Sequence, residues 1–64
     1  MKISRLLLLR ERYNVSVEKL ADDINVKPSD IIGWENGTKE MYAHEAFLVA
    51  KYFDVSVDYL LELL

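Results

Sequence analysis

The stretch SVEKLADDINVKPSDIIGW, Ser16 to Trp34, decides the fold. Ser16 sits where a helix can start, because its hydroxyl can accept one of the backbone N–H groups left free at a helix N-terminus. Val15 before it and Leu20 after it stand at the two positions of a hydrophobic staple. Leu20, Ala21 and Ile24 then fall on one face at 3.6-residue spacing. Asn25 tolerates the left-handed backbone that a tight turn requires, and Val26 follows as a plug. Pro28 suits the first position of a second helix, with Val26 and Ile31 as its staple. Lys27 is a poor cap, and Asp30 in the first turn offsets this by facing the positive end of the helix dipole. Ile31 and Trp34 form the inner face of that second helix, and Ala21 is small enough to let the two helices cross closely.

Outward from this pair the chain continues as helix. Ile3, Leu6, Leu9 and Tyr13 lie within one arc, which predicts a first helix over about 2–12, ending where Asn14 can turn left-handed. Ala46, Val49, Ala50 and Phe53 predict the inner face of a helix over 43–53. VSVDYL repeats the Val–Ser capping device with Val55, Ser56 and Leu60, and predicts a last helix over 57–63 burying Val57, Leu60, Leu61 and Leu64. The two central helices are expected over 16–24 and 28–35. The expectation is an all-α, compact five-helix bundle forming one domain over 1–64, with a helix-turn-helix at about 16–35 whose second helix has the form that enters a DNA major groove.

Composition bounds the rest. A chain of 64 residues makes one small domain, and 52% hydrophobic residues with 2 Gly and 1 Pro suit a packed core. With 0 Cys and 1 His, neither a disulfide framework nor a metal cluster can be assembled. No nucleophile–base pair or phosphate loop can be picked out, so the expectation is no enzyme, no cofactor, no metal and no small-molecule substrate. No apolar run, LLLL included, approaches the roughly 20 residues that cross a bilayer, and no cleavable leader pattern stands at the start. A cytoplasmic protein without a membrane partner is expected.

WENG, FDVSVDYLL and the capped pair VSVEKLADDINV together resemble the phage repressor/Cro-type helix-turn-helix family, also called the xenobiotic-response-element (XRE) family. The resemblance spans essentially the whole chain and implies a lambda-repressor-like fold. It implies a sequence-specific, repressor-like transcriptional regulator that binds double-stranded DNA as a homodimer with its third helix in the major groove. Arg10 and Glu35 match a structural ion pair. Asn36, Gly37, Thr38 and Lys39 match the loop that meets phosphates, and Ser16, Lys19 and Lys27 stand where helix ends approach the backbone. Base reading falls to Pro28, Ser29, Asp30, Ile32 and Gly33, taken as the outward face of the third helix. The resemblance places dimer contacts in the C-terminal helix region.

Several residues depart from the family pattern. Val17 stands where Gln is usual, and the outward face carries no Arg, Gln or Asn before the exit loop. Ser29 offers one hydroxyl, Ile32 can touch a thymine methyl, and Asp30 can accept from a cytosine amino group. From Ser16 to Glu35 two bases (Lys19, Lys27) face five acids (Glu18, Asp22, Asp23, Asp30, Glu35), within a chain of net charge −3. Few neutralised phosphates mean weak non-specific affinity. Leu7, Leu8, Leu48, Tyr59 and Leu63 are expected to face outward, as scattered surface residues or as a dimer or partner surface. His44 reads as a solvated surface residue and Trp34 as core. A protein-interaction module on the same fold is the second reading, because function lives in the site and not in the fold.

Overall fold

The computed structural model describes residues 4–61, which form five helices: α1 (Arg5–Arg12), α2 (Val17–Ile24), α3 (Pro28–Asn36), α4 (Ala43–Phe53) and α5 (Val57–Leu61). Among the described residues there is no strand, and no helix is long and apolar enough to cross a membrane. The principal extents are 29 × 24 × 23 Å. α2 packs on α3 and α4, α1 packs on α3 and α5, and α4 packs on α5.

Three helices end by one local device. Asn14, Asn25 and Asp54 take left-handed backbone, with φ of 56°, 61° and 57°. The Val that follows each donates its N–H back five residues, Val15 to Arg10, Val26 to Ala21 and Val55 to Ala50, all at 2.9 Å. This is a Schellman closure, in which the turn satisfies orphan carbonyls while the apolar residue after it folds onto the core. Val15, Val26 and Val55 are all partly buried against that core. Three helix starts share a second device: Ser4, Ser16 and Ser56 accept N–H bonds from Leu7, Lys19 and Tyr59 at 3.3, 3.0 and 3.0 Å. The sequence reading starts the first helix at about residue 2, ahead of Ser4, so this cap is a finding of the structure.

The core contains Leu6, Leu9, Leu20, Ala21, Ile31, Trp34, Ala46, Val49, Ala50, Phe53 and Leu60. Leu20, Ile31 and Val49 are its most completely enclosed large side chains. The inner faces expected for α2, α3 and α4 are in place. Trp34 is buried as expected, and its indole Nε1 has no hydrogen-bond partner among the described residues.

Two expected core residues lie elsewhere. Tyr13 is 52% exposed, because α1 stops at Arg12 and the chain has already begun to turn; its ring lies flat on Phe53 at 5.9 Å. Leu61 is 38% exposed on the outer side of α5. Val57 is half-buried. Ile3 and Leu64, expected to be buried, lie outside the described residues, as does Leu63.

Candidate nucleic-acid interface

α2 and α3 are joined at a fixed angle by the left-handed Asn25 and the half-buried Val26. Behind them, Arg10 of α1 ties the far end of α3 to the first turn of the chain. Its Nε and Nη2 donate to the two oxygens of Glu35 at 2.5 and 3.0 Å, and Nη1 donates to the Val15 carbonyl at 3.0 Å. The two side chains are only 15% and 11% exposed. The Glu35 hydrogen bond raises the Arg10 guanidinium above its ordinary value, against the opposing effect of burial. The expected ion pair is thus formed, and it fixes where α3 ends relative to where α2 begins.

The outward arc of α3 is narrower than the spacing suggests. Pro28, Ser29, Ile32 and Asn36 are exposed, with Ile32 at 50%. Gly33, expected on this arc, is buried. The segment after α3 turns at Gly37, where φ is +81°, and folds back so that the Lys39 N–H donates to the Gly33 carbonyl at 3.1 Å. A Cβ at Gly33 would stand 2.7 Å from the Lys39 Cβ, so only glycine lets the loop lie this close to the helix. Asp30 is also withdrawn, with a side chain 19% exposed. Its Oδ2 accepts the Lys27 N–H at 3.2 Å, and its Oδ1 accepts from the Lys39 ammonium. That lysine holds the Asp30 carboxyl below its ordinary value, and Asp30 in turn raises Lys39.

The loop spends several of its donors internally. Asn36 Oδ1 accepts both the Thr38 N–H at 3.0 Å and the Thr38 hydroxyl at 2.7 Å. Thr38 and Lys39 therefore offer fewer groups to a phosphate than their residue types promise, while the Asn36 side-chain NH2 keeps its donors and Asn36 itself lies on the exposed arc. Turned this way, Asn36 joins loop and helix face into one surface. Its place on the arc, three and four residues from Gly33 and Ile32, is the signal that sequence reading passed over by assigning it to the loop alone.

At the start of α2, Ser16 and Lys19 are exposed, and Lys19 bridges to Asp23 at 3.1 Å with its side chain 65% exposed. Asp23 also accepts from the Tyr52 hydroxyl at 2.6 Å, which ties α2 to α4. The Tyr52 hydrogen bond, then Lys19, lower the Asp23 carboxyl, and Asp23 raises the Tyr52 phenol. Nothing in the spacing of Asp23 and Tyr52, 29 residues apart, announces this network. Lys27 at the start of α3 is exposed and, among the described residues, forms no ion pair.

The proposed partner surface divides. Leu8 and Leu48 are exposed at 44% and 40%. Leu7 is half-buried. Tyr59, expected to face outward, is partly buried against the core, and the Arg5 guanidinium lies 4.4 Å over its ring. Exposed aromatic area is found instead at Tyr42 and Phe47, 59% and 57% exposed around the start and middle of α4. Phe47 is one residue past Ala46 of the buried stripe, and that one helical step turns it away from the core. His44 is exposed as expected. Among the described residues no group of three or more His, Cys, Asp and Glu could hold a metal ion.

Comparison with known proteins agrees with this geometry. A family model described as a helix-turn-helix domain matches residues 3–63. An HTH-type transcriptional regulator of Bacillus subtilis, YobD, itself uncharacterised, is 35% identical over 63 residues, which cover 98% of this chain and 56% of that protein. The chain thus spans about half the length of this relative. With nearly all of its length matched, the chain belongs to the XRE-type helix-turn-helix family.

Proposed function

We propose that this member of the XRE-type helix-turn-helix family is a sequence-specific, DNA-binding transcriptional regulator of the repressor kind, with no enzymatic activity, acting in the cytoplasm. It binds duplex DNA as a homodimer and sets the exposed arc of α3 in the major groove. The observation that carries the reading is that arc: Pro28, Ser29, Ile32 and Asn36 stand free of the core on a helix whose two ends are clamped, by the Asn25–Val26 turn and by Arg10–Glu35. A clamped helix with a free face can present side chains to base edges in one register. Ile32 at the centre contacts a thymine methyl, Ser29 gives one hydroxyl, and the Asn36 side chain reaches an adenine edge or the flanking phosphate. The phosphate grip comes from the start of α2 with Ser16 and Lys19, from Lys27, and from the 36–39 loop. Two copies related by a two-fold axis place the two α3 helices about one DNA turn apart.

A specific observation favours a second reading, a protein-interaction module. Lys19 and Lys39, two of the three cations nearest the interface, are each matched by a carboxylate. The outer side of α4 meanwhile exposes Phe47 and Leu48. The two readings part on one experiment: selection from a pool of genomic duplexes at low and at physiological salt, with sequencing of what is retained. A regulator enriches a two-fold symmetric site and loses affinity as salt rises. No enrichment at low salt refutes the DNA reading. Asn36→Ala is expected to weaken binding to the enriched site, and Ser29→Ala to change the preference at particular base pairs only.

A further inference from the structure

Asp30 occupies two places that a DNA phosphate would take. It sits in the first turn of α3, where its Oδ2 accepts the Lys27 N–H at 3.2 Å, the role an anion plays at a positive helix end. Its Oδ1 holds the Lys39 ammonium. Lys39 does not reach Asp30 by a free swing of its stem alone. Its backbone is fastened by the bond from its N–H to the Gly33 carbonyl, 3.1 Å, and its Cβ rests where a side chain at Gly33 would be. The Asp30 side chain is 19% exposed and that of Lys39 44%, so the carboxylate is the more enclosed partner and the ammonium the more accessible one.

We propose that Asp30 is an internal counter-ion for Lys39: it holds the ammonium against the first turn of α3 and withholds it from a DNA phosphate, so that affinity for duplex DNA is set below what the chain's cations allow. The inference rests on the DNA-binding reading above and adds a regulatory role for one residue of that surface. Asp30 on this account is not a base-reading group. Its carboxylate restrains the loop cation and repels the phosphates that the cation would otherwise meet.

The test uses Asp30→Asn, whose amide oxygen can still accept the Lys27 N–H and so keeps the helix start, which circular dichroism checks. Binding to a selected duplex is titrated from roughly 0.05 to 1 M salt, a range that spans physiological conditions. Releasing one cation to one phosphate steepens the slope of log affinity against log salt by about 0.9. The variant should therefore bind roughly eightfold more tightly at about 0.1 M salt than the unmodified chain, with the curves meeting near 1 M. In a Lys39→Gln background the same Asp30→Asn change should leave the slope unaltered. Without DNA, the Asp30 carboxyl followed by NMR should titrate at higher pH in Lys39→Gln than in the unmodified chain.

An equal gain from Asp30→Asn with and without Lys39 overturns the proposal, since simple charge removal would then explain it. So does an unchanged or shallower slope in an unmodified lysine background, or an Asp30 titration indifferent to Lys39→Gln. Each of these leaves the DNA-binding reading standing as long as the unmodified chain binds duplex. If neither the unmodified chain nor Asp30→Asn binds any duplex at low salt, the functional reading fails and takes this role of Asp30 with it.

Discussion

Replacing Arg10 by Met keeps most of the side-chain stem and removes the guanidinium. Three hydrogen bonds disappear, two to Glu35 and one to the Val15 carbonyl. The larger effect is on what remains. Glu35, 11% exposed, keeps a carboxylate with no cation beside it. Breaking a buried ion pair by deleting one partner costs about 3–5 kcal/mol. The residual exposure of 15% and 11% lets water reach the pair, which places the expected loss at the low end, about 3 kcal/mol. A domain of this size has roughly 3–10 kcal/mol of stability in total, at 0.05–0.15 kcal/mol per residue. The loss should lower Tm by about 12–24 °C, taking 4–8 °C per kcal/mol. The assay is urea unfolding followed by fluorescence of Trp34, the sole tryptophan, which is 7% exposed next to Glu35 in α3. With a slope of about 1 kcal/mol/M, the midpoint falls by about 3 M urea or the variant is already unfolded without denaturant. The double variant Arg10→Met, Glu35→Met removes both charges and should regain most of the loss, because an apolar pair of similar volume substitutes well for a buried ion pair. A loss under about 1 kcal/mol for Arg10→Met would refute the reasoning, as would a double variant less stable than the single one.

Further outcomes follow from the same contacts. Gly33→Ala gains about 1 kcal/mol of helix propensity but forces the Lys39 backbone away, at a cost of about 1–3 kcal/mol, so chemical unfolding should show a net loss and NMR should show displaced Thr38 and Lys39 amides. Ser16→Ala removes the acceptor for the Lys19 N–H and should cost about 1 kcal/mol in the same unfolding assay. Asp23 and Asp30 are both held below the ordinary carboxylate value, so the stability they contribute is complete above the unfolded value, about 3.9, and is lost as pH falls through their folded values. Acid unfolding of Asp23→Asn and of Asp30→Asn should therefore be less steep than that of the unmodified chain. Substituting uracil for thymine in a selected site removes the 5-methyl group, and it should weaken binding by the unmodified chain but not by Ile32→Ala.

Most of the fold is readable from the chain because its determinants are local. The Asn25–Val26 turn, the Ser16 and Ser56 caps, Pro28 and the inner stripes of α2, α3 and α4 each act within a few residues, and all stand where spacing placed them. The misplaced residues lie at helix ends. Tyr13 and Leu61 fit their arcs by angle, but the helix has ended or the core has run out where they stand. The interface was less legible because its shape depends on contacts across the sequence. Gly33 counts as outward by periodicity, and only the return of the loop six residues later covers it. Asp30 and Lys39 read separately as a base contact and a phosphate contact, whereas in the folded chain each occupies the other. The Asp23–Tyr52 link is of the same kind, since no local rule pairs residues of two different helices.

The central claim, that the exposed arc of α3 is the surface that meets duplex DNA, is tested most directly by an amide NMR titration of the chain with a selected duplex. The largest shifts are expected at Ser29, Ile32, Asn36 and the first turn of α2, with little change around Phe47 and Leu48 on the outer side of α4. Shifts confined to α4, or none on α3 at a salt concentration where the duplex is bound, would contradict it.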